Sequence, residues 1–152
     1  MGDDMAAQLQ AEIIRLAATL NAEPVKVGVI LKDDNVNIFI DAEGRYHYSY
    51  WERGRERFDR VGGIDDVLYW FAEGITASIG SGYAAKHCAE NENHRKVMWA
   101  KQYELLSWLN PRWGARCVRD LADKLRSWGL GEDVELLPDI PERNRPHPSN
   151  PR

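Results

Sequence analysis

A catalytic or metal site in this chain would have to be built from few side chains. His87, Cys88, His94 and Cys117 are residue types that ligate zinc, yet their spacing matches no paired-ligand pattern of a zinc site. Ser49 or Ser81 with His47 or His87 supplies the types of a hydrolytic pair without any surrounding signature. Glu52 and Glu56 stand close together across a predicted turn, where ion pairing with Arg53 and Arg57 accounts for them. There is no glycine-rich phosphate loop and no Gly-x-Ser-x-Gly elbow. The sequence therefore predicts no catalytic residue, no metal site, no cofactor and no enzyme.

The densest grouping of functional types is RYHYSYWERGRERFDR, Arg45–Arg60, with three alternating tyrosines, Trp51 and five arginines. Exposed aromatics among basic residues suit single-stranded nucleic acid, since bases stack on rings. Against that reading, Glu52, Glu56 and Asp59 reduce the local charge to +2. Alternating tyrosines are also what a half-buried strand selects, because rings pack on the pleat. Trp51, set beside arginines, fits a protein-binding anchor, as Trp, Tyr and Arg dominate interface hot spots. Trp70, Trp99, Trp108 and Trp128 fall on predicted helices and are expected to be core.

Elements to position these residues are readable from periodicity. Leu9, Ile13, Leu16 and Leu20 form the stripe of an amphipathic helix over 6–20, ended by Pro24. Val25, Val27, Val29 and Leu31 alternate as in a strand, although Gly28 weakens it. A meander follows, with strands over 36–41, 46–51 and 56–61 joined at Asp41–Gly44 and Glu52–Gly54. From Asp65 the period becomes helical, and Gly80-Ser81-Gly82 predicts a kink or break. Asn91 or Asn93 caps a further helix, and Asn110-Pro111 starts the last, which carries Val118, Leu121, Leu125 and Trp128 inward. Five of the seven prolines then fall after Leu130. The expected architecture is α+β: an N-terminal helix, a small antiparallel β-meander, a cluster of about three helices and a Pro-rich tail. One domain is expected over 1–137, with a flexible tail over 138–152.

Charge and composition narrow the partners. The net charge is −4, divided as −5 over 1–44, +3 over 45–128 and −2 thereafter. A general nucleic-acid binder is usually basic overall, whereas patches of both signs suit a protein partner. The longest aliphatic run, Val27–Leu31, is far too short for a membrane span. The first residues lack a signal-peptide pattern, so the cytoplasm is the expected location. Two cysteines give no disulfide framework there.

Three blocks, Tyr46–Gly54, Leu68–Gly80 and His94–Arg116, occur in the order found in the bacterial family of immunity protein 63, which this chain resembles. Gln102-x-Glu104-Leu105-Leu106 followed by Leu109-Asn110-Pro111-x-Trp113 carries most of the specificity. Gly80-Ser81-Gly82 and Lys96 depart from the family pattern, and the first 40 residues and the tail lie outside the resemblance. The resemblance implies an inhibitor made beside a polymorphic toxin, which protects the producing cell by binding the cognate toxin domain. It brings no contact map. From the residues themselves, the toxin-binding candidates are Glu43, Trp51, Glu52, Arg53, Arg55 and Glu56, on the exposed face of the meander. The alternative is a single-stranded nucleic-acid-binding or general protein-interaction module using the same Tyr/Arg-rich surface.

Overall fold

The computed structural model describes residues 2–144. Its element order is helix α1 (Gly2–Thr19), strands β1 (Asn35–Ile40), β2 (Tyr46–Glu52) and β3 (Arg55–Gly62), then helices α2 (Ile64–His87), α3 (His94–Leu109) and α4 (Pro111–Ser127). Two short 3-10 helices follow, Gly131–Leu136 and Pro141–Asn144. The α+β class is as expected. The chain forms two compact units that divide between Ala72 and Glu73, within α2.

In the first unit, Leu9, Ile13, Leu16 and Leu20 are buried, the stripe their spacing predicts. Helix α1 ends at Thr19, before Pro24 is reached. Asn21 takes a left-handed φ of 54°, and the N–H of Ala22 reaches back to the carbonyl of Ala17 at 2.8 Å. The sheet is antiparallel with order β1-β2-β3. Its register places Ile38 opposite Tyr48 and Tyr50 opposite Phe58, and an extra residue in β3, Arg57, shifts the pairing so that Trp51 faces Glu56. Side chains alternate across this pleat, so Tyr48, Tyr50 and Phe58 share one face with Arg60.

The strand expected over Val25–Leu31 is not there. Gly28 sits at φ 88°, and Val29, Ile30 and Leu31 are exposed. The segment is instead tied down by side chains. Gln10 bridges Val25 and Val27, donating to the carbonyl at 3.0 Å and accepting from the N–H at 2.8 Å. Fully buried Asn37 does the same to both backbone groups of Leu31, at 2.9 Å each. Only the N–H of Gly28 bonds β1 through the backbone, at 2.8 Å to Ile38. An apolar alternation is thus satisfied without a ladder, and the segment covers the outer edge of β1.

In the second unit, the break expected at Gly80-Ser81-Gly82 does not occur, and α2 runs through to His87. Gly80 is a contact residue rather than a breaker: a Cβ there would stand 2.6 Å from the carbonyl oxygen of Met98 on α3. Nothing lies within 4 Å of the corresponding position at Gly82. Asn93 is the cap of α3, its Oδ1 accepting from the N–H of Lys96. Asn110 caps α4 in the same way, with Pro111 in the first turn. Trp99, Val118, Ala122, Leu125, Val134, Leu137 and Ile140 form the core cluster of this unit.

Two tryptophans expected in the core lie outside it. Trp108 is 66% exposed and Trp128 67%. The buried stripe of α3 is Trp99, Gln102 and Leu106, and a residue two beyond Leu106 points away from it. Trp128 follows the last turn of α4, where Gly129 at φ 76° redirects the chain. Within the span expected to form the tail, Ile140 and Arg143 are buried and Pro141–Asn144 is helical. Residues 145–152 of that span lie outside the described residues.

Candidate functional site

The six candidate side chains fall at two ends of the meander. Trp51, Glu52, Arg53, Arg55 and Glu56 surround the β2–β3 turn. Glu43 lies in the β1–β2 loop, roughly 20 Å away along the length of β2 at about 3.3 Å per residue. The structure therefore brings five together and leaves the sixth apart.

The β2–β3 turn is a two-residue connection. Arg53 (φ 52°) and Gly54 (φ 78°) are both left-handed, the primed geometry whose twist matches antiparallel strands. Glycine takes that conformation freely, but arginine does so at a cost of about 1–2 kcal/mol. Around it, Glu52 binds Arg57 at 3.0 Å, and the Lys32 ammonium stands 5.5 Å from the centre of the Trp51 ring. The N–H of Gly54 donates to the carbonyl of Lys32 at 2.9 Å, tying the tip to the segment beside β1. Arg53, Arg55 and Glu56 are exposed, and Trp51 is half-buried. Trp51 and Glu56 also line a groove of ≈ 540 Å³ whose other walls include Val27, Ile30, Phe39 and Asp59. The tip thus offers a ring, two exposed guanidinium groups and an adjoining recess with apolar and acidic walls.

The tyrosine face answers the nucleic-acid reading. Tyr48 is buried, and the rings of Tyr48 and Tyr50 stack on Phe58 with centroids 6.2 and 5.9 Å apart. Rings committed to each other leave little face for a base.

His47 was not among the candidates, yet it has the most constrained environment in the meander. Its ring stacks on Phe39 at 4.4 Å; Nε2 lies 2.7 Å from Asp41 and Nδ1 3.0 Å from Asp59. Carboxylates only accept, so two such bonds require both nitrogens to donate, which is the imidazolium form. Burial alone lowers the His47 pKa, but the hydrogen bonds and charges of Asp41 and Asp59 outweigh it and raise it above 6.5. The His47 bond, above all, holds the Asp41 carboxyl well below the usual carboxylate range. Asp41 also closes the β1–β2 loop, accepting from the N–H groups of Glu43 and Arg45 at 2.9 Å. With both nitrogens engaged, His47 is no base for Ser49, whose buried hydroxyl has no hydrogen-bond partner.

The cluster makes stability pH-dependent. His47 is raised in the folded state, so its contribution is full below about pH 6.5 and is lost as pH rises through the folded value. Asp41 is depressed, so its contribution is present above about pH 4 and is lost as pH falls toward its folded value. We expect the thermal midpoint to be highest in mildly acidic buffer and to fall by a few degrees between pH 6 and pH 9. His47→Gln should flatten that alkaline limb. A limb of unchanged slope in the variant would place the titration elsewhere.

Among the described residues no three His, Cys, Asp or Glu side chains are arranged to hold a metal ion. Cys88 points its thiol at the carbonyls of Ala89 and Glu92, and Cys117 is buried. Among those residues no helix is long and apolar enough to cross a membrane. Compared with known families, the chain matches the sequence model described as immunity protein 63 over residues 42–123, which covers β2, β3, α2, α3 and most of α4. Neither a curated protein nor a solved structure matches.

Proposed function

The chain belongs to the immunity protein 63 family, and we propose that it acts in the bacterial cytoplasm by binding a cognate toxin domain and covering that toxin's active site. The family match over more than half of the chain carries the immunity role. Occlusion by binding is the reading that the meander supports. The β2–β3 tip presents Trp51, Arg53 and Arg55 beside acidic Glu52 and Glu56, a ring with charges of both signs. Such a surface combines a hot-spot anchor with the charge complementarity that speeds encounter and rejects wrong partners. Glu43, at the far end of β2, belongs to a second, peripheral contact.

The decisive experiment is co-expression with the toxin domain encoded beside this gene, followed by co-purification. Growth rescue and a stable complex are expected. Trp51→Ala combined with Arg53→Ala should weaken that complex by about 30-fold or more, as loss of a hot spot does, while shifting the thermal midpoint little. No rescue and no complex would overturn the immunity reading. Rescue with an affinity unmoved by the double variant would keep immunity and remove the tip as its contact. A collapsed midpoint would make the two side chains structural.

A further inference from the structure

Glu56 and Asp59 stand three residues apart in β3, a spacing that puts two side chains on opposite faces of a regular strand. The bulge at Arg57 cancels that. In the observed register Glu56 stands opposite Trp51 and Asp59 opposite Ser49, and Trp51 and Ser49 share a face of β2. Two acids, an indole and a hydroxyl are thereby gathered on one side of the sheet. All four line the groove of ≈ 540 Å³ beside the β2–β3 tip. Ser49 is 1% exposed, and its hydroxyl is buried with no hydrogen-bond partner, which costs stability until a ligand pairs with it. Glu56 makes no hydrogen bond or ion pair among the described residues, whereas Asp59 is held by His47 at 3.0 Å. The Trp51 ring already has a cation 5.5 Å from its centre, the ammonium of exposed Lys32.

We propose that this groove receives an arginine side chain presented by the partner protein. The guanidinium stacks on Trp51, pairs with the free carboxylate of Glu56 and donates to the Ser49 hydroxyl, while the methylene stem lies along Val27 and Ile30. A guanidinium carries five N–H donors in one plane, so a single group can serve a ring, a carboxylate and a hydroxyl together. An ammonium has no plane to stack, which selects arginine over lysine. Asp59, fixed by His47, adds negative charge to the wall rather than a free ligand atom. Lys32 occupies the ring of the unbound protein and yields it to the better-fitting cation. In naming a protein as the source of the arginine, the inference rests on the toxin-binding reading; the chemistry of the groove does not.

The probe is N-acetyl-arginine methylamide, titrated into the isolated protein while the tryptophan indole N–H resonances are followed by NMR, with Trp51 assigned by its loss in Trp51→Phe. A saturable shift at Trp51 is expected with a dissociation constant of roughly 1 mM. The citrulline analogue, which keeps the shape and loses the charge, should give none. Glu56→Gln should weaken binding about fivefold and Ser49→Ala between about twofold and tenfold, whereas Lys32→Ala should tighten it by removing a competing cation. Ser49→Ala should also hold or raise the thermal midpoint, because it deletes an unpaired buried hydroxyl. The toxin domain is then measured against the same variants, and the same order of affinities is expected. Equal binding of arginine and citrulline, or a lowered midpoint in Ser49→Ala, would overturn the groove chemistry. A toxin complex indifferent to all three variants would overturn the arginine as its contact. Arginine binding at Trp51 with no toxin complex would overturn the immunity reading and leave the groove an arginine receptor.

Discussion

Gly80→Ala is expected to destabilise the protein by about 1–3 kcal/mol, and Gly82→Ala, two residues further along the same helix, to stabilise it by about 0.4–1 kcal/mol. Local propensity predicts a gain at both positions, because alanine is favoured over glycine in a helix interior by about 0.8–1.0 kcal/mol. Packing separates them. The Cβ of an alanine at 80 would lie 2.6 Å from the backbone oxygen of Met98, a distance that no side-chain rotation can relieve. Either α2 and α3 move apart, opening contacts along their seam, or the backbone of α3 bends. At 82 a Cβ meets nothing within 4 Å, so the propensity gain is left unopposed. Urea unfolding of both variants measures the difference directly, and the opposite signs are the diagnostic. A stabilised Gly80→Ala would mean that the helices do not approach as closely as this geometry requires.

The same contrast explains which parts of the fold were legible in the sequence. Positions governed by local chemistry read correctly: the Asn93 and Asn110 caps, Pro111 in the first turn of α4, the α1 stripe, and the three strands with their turn residues. Positions governed by partners distant in sequence did not. Gly80 and Gly82 are identical to any local rule, and only the approach of Met98 tells them apart. The apolar alternation over 25–31 is indistinguishable from a strand until Gln10 and Asn37 are seen to take its backbone groups. Trp108 is placed by the rotation of α3 about its axis, fixed by Trp99, Gln102 and Leu106, and a hydrophobic residue type does not report that rotation.

The candidate site divides in the same way. The β2–β3 tip was legible because its turn and its residue types are adjacent in sequence. That Glu43 stands at the other end of β2 follows only from the hairpin geometry. His47 was weighed as a base for Ser49. Its actual partners, Asp41 and Asp59, lie six and twelve residues away, and are brought to it by the register of two hairpins. Asp41 read as a loop residue and Asp59 as a charge offsetting arginines. In the observed register His47 shares a face of β2 with Ser49, which stands opposite Asp59.

Ile140→Ala is expected to cost about 2–5 kcal/mol, the range for truncating a large aliphatic side chain in a core. Composition argues otherwise, because Ile140 lies between Pro138 and Pro141 in a stretch with few other apolar residues. Yet Ile140 is 6% exposed and belongs to the cluster of Trp99, Val118, Leu125, Val134 and Leu137. The chain is also fixed on its far side. Arg143 donates from Nη1 to the carbonyl of Leu137 at 2.7 Å and from Nη2 to Glu135 at 3.1 Å, while Arg126 donates to the Arg143 carbonyl. Ending the chain after Leu137 removes Ile140 and Arg143 together, so it should cost at least as much as Ile140→Ala. Glu135→Gln supplies the control. That carboxylate is 74% exposed, and a surface pair of this kind contributes about 0–1 kcal/mol. Equilibrium unfolding of the three variants therefore ranks them, with the truncation and Ile140→Ala far below Glu135→Gln. A truncated chain as stable as the full one would mean that the residues after Leu137 hang from the helices rather than complete their core, and Ile140 would then lose its place in the cluster.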